Sequence, residues 1–245
     1  MLGLLSALFL RATRAVTIEG FWYGAFDMGV GGCATALRLD QLLDVGDWVG
    51  ALTALDRTGD YTVFEPLLAR DGVRRESRDT LLEAGNWGRL LRADRARKPA
   101  RGFLEQTRDF DAGASGLFMD TLRQRIAPMA MDIGLDQRQV AMAREHLRRG
   151  DLLRSVLAAC EAFVTGLVTA SGGHPGNALH RLEAQKDWRT RVTPEQRSPF
   201  QTLKNIRNGL AHLSEQRDPA IEQALNSPAE LGRLLEELYQ RLWPQ

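Results

Sequence analysis

The segment Leu203-Lys-Asn-Ile-Arg-Asn-Gly-Leu-Ala-His-Leu213 gathers Arg207, Asn208 and His212 into one short stretch. Side chains of these types can cut RNA. RNA carries its own nucleophile, the 2′-OH, beside each phosphate. Cleavage then needs a group that moves protons and a cation that stabilises the charge building on the phosphorane. A histidine does the first near neutral pH. An arginine forks onto the non-bridging oxygens and does the second. Neither role calls for a metal ion, and the products would carry a 2′,3′-cyclic phosphate and a 5′-OH.

The spacing sets a geometric condition. Arg207 and His212 are five residues apart, roughly 140° around an ideal helix, whereas Asn208 and His212 share a face. One helix does not easily aim both at one phosphate. Two copies facing each other across a two-fold axis could pool both residues from both chains. Asn208 would then orient the histidine or hold a phosphate oxygen. An Arg and a His so spaced occur by chance ~0.5 times in a chain this rich in arginine, and requiring Asn after the Arg lowers that to ~0.01.

Other chemistries find less support. The remaining histidines, His146, His174 and His180, show no metal-ligand spacing. Gly29-Val-Gly-Gly32 lacks the Lys-Ser/Thr of a phosphate loop, and no serine sits in a G-x-S-x-G elbow. Cys33 and Cys160 have apolar or small neighbours and read as core residues, so neither a disulfide framework nor a thiol nucleophile is expected. No cofactor is implied.

The elements that must position the motif read as helices. At 245 residues, with 44% hydrophobic and 26% charged residues and a formal charge of +1, the chain has an ordinary globular balance and a length that buries a real core. Residues 2–14 read as a short apolar helix. Arg11 and Arg14 follow the apolar run instead of preceding it, which argues against a signal peptide, and the run is too short to span a bilayer. A cytoplasmic protein with no membrane contact is the expectation. Val16-Thr-Ile-Glu-Gly-Phe-Trp-Tyr-Gly-Ala-Phe26 reads as a lone strand that must find its partner in another chain, across a dimer axis or in a part not present.

Beyond the glycines the pattern is helical, from Leu37 through Leu55, then over 77–93 and 100–127 with interruptions at glycines and Pro99, and over 136–149. Asp151 is placed to cap an amphipathic helix that Ser171–Gly176 breaks. Helices over 177–188, 199–214 and 228–242 follow, the last signalled by the capping box Ser227-Pro-Ala-Glu230. Charge is uneven along the chain: residues 16–60 carry a net of −5 and residues 70–108 a net of +5. The two segments neutralise each other in the fold or at a dimer interface, or the second forms a basic face for a phosphate backbone.

The Arg207-Asn208-x-x-x-His212 element closely resembles the R-N-x-x-x-H signature of HEPN ribonucleases. The strand Val16–Phe26, with the helix before it, resembles the last strand of the CARF sensor domain that precedes HEPN in CRISPR-associated ribonucleases of type III systems. Asp47-Trp48 and Thr58-Gly-Asp60 resemble the helical region after that strand. The resemblance implies a mainly α protein: a HEPN-type helical bundle behind a short helix–strand remnant of an α/β CARF-like domain. The divisions are 1–28 for that remnant, 29–135 for a helical connector and 136–245 for the HEPN core. It implies a homodimeric endoribonuclease acting on single-stranded RNA in antiviral defence, with Arg207, Asn208 and His212 catalytic. It also implies a cyclic oligoadenylate activator, through a sensor that is not complete in this chain.

Two further residues are substrate-binding candidates. Lys204, one turn before Arg207, could meet a substrate phosphate or be a solvated lysine. Glu161 lies at the edge of the apolar arc of the 151–168 helix, where HEPN proteins often place a polar residue facing the motif helix; the alternative is a solvated boundary glutamate. The plain readings of the motif itself are a core or capping histidine near a helix C-terminus, a surface ion pair for Arg207 and a surface amide for Asn208. Two other functions stay open: a catalytically idle HEPN module for dimerisation or RNA binding, and the HEPN toxin of a toxin–antitoxin pair.

Overall fold

A computed structural model describes residues 22–30, 33–212 and 218–244, together with Ser6, Phe9, Leu10 and Gly20. The protein is mainly helical. Most of the expected front helix over 2–14, and residues 16–19 and 21 of the expected strand, lie outside the described residues.

The front of the described chain departs from expectation. Strand β1 (Trp22–Val30) pairs antiparallel with β2 (Cys33–Arg38), in the register Trp22↔Arg38, Tyr23↔Leu37, Gly24↔Ala36 and Ala25↔Thr35. The strand therefore finds its partner next door, in residues whose leucine spacing read as helical. Two leucines at Leu37 and Leu39 fit period two as well as the edge of a helical stripe, and short apolar runs leave that choice to tertiary context.

Helices fill the rest: α1 (Asp40–Thr58), α2 (Glu65–Arg70), α3 (Arg75–Arg89), α4 (Ala93–Gln106), α5 (Gly113–Ala130), α6 (Leu135–Arg148), α7 (Leu152–Ala170), α8 (Ala178–Arg191), α9 (Pro194–His212), α10 (Pro219–Leu225) and α11 (Pro228–Leu242). Local chemistry fixes many of their ends. Gly59, with φ of 69°, ends α1 in the left-handed region that a side chain would disfavour, and its N–H donates to the Leu55 carbonyl. Asp60 then accepts from the Thr62 N–H and starts a short 3₁₀ turn at Tyr61–Phe64. Asp151 accepts from Arg154 N–H at the start of α7, and Ser227 from Glu230 N–H at the start of α11.

Pro99 does not interrupt. It lies buried inside α4, where Ala96, Ala100 and Phe103 also enter the core. An interior proline costs about 3 kcal/mol, and the burial of that face offsets it. The short helix α10 was not anticipated, although Asp218-Pro219 is a cap followed by proline at the first helical position.

Two hydrophobic clusters form. The first joins α1 to α5 around Trp48, Phe64, Phe103 and Met119. The second joins α6 to α11 around Val156, Leu203, Ile206 and Leu235. The α7 helix is long and apolar enough to cross a membrane by length and composition; half of it is buried inside the second cluster. The opposed charges of the front segments meet in part: Arg70 bridges to Asp44 and Asp47, and Arg89 to Asp60.

Candidate functional site

Helix α9 presents the motif. Thr193 and Gln196 cap its start reciprocally, the Thr193 N–H donating to Gln196 Oε1 at 3.0 Å and the Gln196 N–H to Thr193 Oγ1 at 3.4 Å. Phe200, Leu203, Ile206 and Gly209 recur every three residues and are buried. That stripe packs on α7, where the Phe200 and Phe163 rings stack at 4.0 Å between centroids, and Trp188 of α8 meets both edge-on. Two helices and a three-ring cluster therefore hold the inner face of α9, which fixes its rotation and directs the remaining residues outward.

Arg207 and Asn208 are half-buried at the margin of this packing. Arg207 donates through Nε and Nη2 to the Asn208 amide oxygen, at 3.1 and 2.7 Å. The Asn208 amide oxygen thus holds the arginine within the chain. The fork is engaged along one edge, which leaves the other guanidinium N–H groups for an oxyanion. His212 is the last residue of α9 and is exposed. Arg207 and Asn208 are brought together; His212 lies a further turn along the same helix.

Lys204 sits one turn before Arg207 with its Nζ 6.0 Å from the Phe200 ring centre. Burial lowers its ammonium pKa, and Arg189 and Arg207 lower it further. Arg189 of α8 and Arg207 of α9 therefore both lie within electrostatic reach of Lys204. None of the three has an ion-pair partner among the described residues. Arg189 was not anticipated as part of the site; the run Arg189-Thr-Arg191 at the end of α8 was its only signal.

Glu161 is exposed on α7 and ion-pairs with Arg181 of α8 at 2.8 Å, not with the motif helix. Next to it Cys160 is buried, and burial pushes its thiol up to about 12 although Arg207 pulls the other way. It stays a neutral core residue. Among the described residues no three His, Cys, Asp or Glu side chains converge as metal ligands. His174 and His180 meet, the His174 N–H donating to His180 Nδ1 at 2.9 Å, and this closes the turn after α7.

Chemically, the arrangement offers an oriented guanidinium on α9, two further cations near it and an exposed imidazole at the end of the same helix. That set can neutralise a phosphate and move a proton. Compared with known proteins, the chain matches no family model, no curated protein and no solved structure.

Proposed function

We propose that this protein is a HEPN-type endoribonuclease that cuts single-stranded RNA without a metal ion and works as a homodimer in the cytoplasm. The observation that carries the reading is the Arg207–Asn208 pair: a guanidinium held by the adjacent amide on the outer edge of a helix whose inner face is locked into the core. Arg207 binds the scissile phosphate and stabilises the phosphorane electrostatically. His212 moves the proton between the 2′-OH or the leaving 5′-oxygen and solvent. Lys204 and Arg189 draw the RNA backbone toward this edge and make binding salt-dependent.

The helix geometry motivates the dimer. Two copies of α9 related by a two-fold axis bring Arg207 of one chain toward His212 of the other, which a single helix does not do. Under the same reading the β1–β2 hairpin is the end of a CARF-like sensor. A two-stranded ribbon is marginal alone, and the rest of a sensor sheet would stabilise it. Such a sensor would answer to a cyclic oligoadenylate in type III CRISPR defence.

The test is substrate chemistry. A fluorescent single-stranded RNA should be cut to products ending in 2′,3′-cyclic phosphate and 5′-OH. The same oligonucleotide with a single cleavable site made 2′-deoxy should resist at that site. Equal cutting of the deoxy site would remove the 2′-OH mechanism. Salt-sensitive RNA binding with no cutting would favour the idle dimerisation or RNA-binding module instead.

A further inference from the structure

A cavity of about 240 Å³ lies at the seam between the two hydrophobic clusters, walled by α3, α4, α5 and α6 and by the turn after α1. Four guanidinium groups line it: Arg89 from α3, Arg125 from α5, and Arg138 and Arg149 from the α6 region. Glu145 is the one carboxylate in the lining among the described residues. Arg125 reaches Asp56 at 2.9 Å, Arg89 reaches Asp60 at 3.4 Å and Arg149 reaches Glu145 at 2.8 Å. Arg138 has no carboxylate at ion-pair distance among the described residues; its Nη1 donates to the Ile133 carbonyl. Burial, reinforced by nearby Arg97 and opposed by Asp132, Asp136 and Asp94, lowers the pKa of the Arg138 guanidinium.

Three nitrogens in these walls are buried without a hydrogen-bond partner: Arg138 Nε, Arg149 Nε and His146 Nδ1. The Arg149 side chain is only 7% exposed. The His146 ring is also buried, with Asp151 Oδ2 3.5 Å from Nδ1, beyond a good hydrogen bond. Arginine does not shed its charge in proteins; Arg89, Arg125 and Arg149 each have a carboxylate partner, so Arg138 gives the lining a surplus positive charge that Asp132, Asp136 and Asp94 offset only from beyond ion-pair distance. Water would satisfy the donors but not the charge. An oxyanion satisfies both, and the planar fork of arginine matches its oxygens.

We infer that the seam cavity binds a small phosphate-bearing anion, held by Arg138 and Arg149 with His146 beside it. The opposite wall is apolar, with Met129 and Met142, and leaves room for a body attached to the phosphate. Because the walls come from both clusters, the bound anion ties the two halves together. The motif helix α9 contributes nothing to the lining, so this site is independent of the nuclease reading.

The experiment uses the full chain carrying Arg207→Ala, so that phosphate held at α9 does not enter. Sodium phosphate is titrated at constant ionic strength made up with chloride. The melting midpoint should rise by about 3–5 °C at ten times Kd, and the His146 ring protons should shift in the NMR spectrum. Arg138→Gln should abolish both responses. Ala141→Glu, which sets a carboxylate one helical turn from Arg138, should do the same and serves if the first variant does not fold. AMP replaces inorganic phosphate in a second series: a response to both assigns the free oxyanion as sufficient, and a response to AMP alone assigns a phosphate monoester whose body fills the apolar side. No midpoint rise and no His146 shift with either ligand would overturn the proposal, as would responses unchanged in both variants.

Discussion

The two halves of the molecule bury apolar surface in different ways. The first cluster is built on large rings: Trp48 lies 5.3 Å from Phe64 and stacks on Phe118 at 5.7 Å, with Tyr61 and Phe103 beside them. The second also has rings, Phe163, Trp188 and Phe200, but runs much of its central helix α7 on small buried residues, Ala158, Ala159, Cys160 and Ala162. The surface charges differ too. Around the first cluster Arg70, Arg78, Arg89 and Arg125 each face a carboxylate. On α8 and α9, Arg189 and Arg207 lie within electrostatic reach of Lys204, and no carboxylate pairs with any of the three among the described residues. Cations neutralised by the fold add little beyond solubility and modest stability. Cations gathered without an ion-pair partner are disposed toward a ligand, and the proposed nuclease reading puts its site among them.

The strongest way to test this division is to damage the first cluster alone. Phe64→Ala removes a fully buried ring and should cost about 3–5 kcal/mol. Hydrogen exchange should show lost protection in α1 to α5 and retained protection in α7 and α9. Equal loss in both halves would make them one cooperative unit.

Within the second cluster the sensitive point is polar. Ser155 donates to the Ala143 carbonyl at 2.8 Å and shares a 2.7 Å hydrogen bond with the Tyr239 hydroxyl, joining α6, α7 and α11. Ser155→Ala leaves the tyrosine hydroxyl buried and unpaired, at a cost of about 1–3 kcal/mol, which urea denaturation would read.

Acid tests the seam. His146 is buried, and burial lowers its pKa from 6.5 despite the opposing pull of Asp151. Below pH 6.5 the unfolded chain binds a proton there that the folded chain refuses, so stability declines as pH falls from 6.5 toward the lowered folded value. His146→Gln should flatten that limb of the stability profile, leaving the losses from Glu145, Asp60 and Asp94 at lower pH.

The smallest effect is expected at the Glu161–Arg181 pair, whose carboxylate side chain is 51% exposed. Arg181→Ala should change stability by about 0–1 kcal/mol and leave RNA cleavage at wild-type rates. A large loss of cleavage would restore Glu161 to the site.

Much of the helical architecture is legible in the sequence because it is local. Gly59, Asp151 and Ser227 mark helix ends through their own backbone or their nearest N–H groups. The hairpin is not legible, because Leu37 and Leu39 suit either period. Pro99 misleads, because only the core that receives Ala96 and Phe103 shows what offsets its cost. At the site, Arg207, Asn208 and His212 are adjacent in sequence and can be found there. The company of Arg189, and the meeting of Arg138 with Arg149 in the seam, depend on how helices pack and leave no local pattern.

The account stands most directly on RNA cleavage by the purified protein in excess EDTA, with His212→Ala measured beside it. Wild type should cut single-stranded RNA at an undiminished rate. The variant should lose on the order of 10²–10⁴-fold in rate with its melting midpoint unchanged. Equal activity of the two proteins, or strict dependence on a divalent metal, would contradict it.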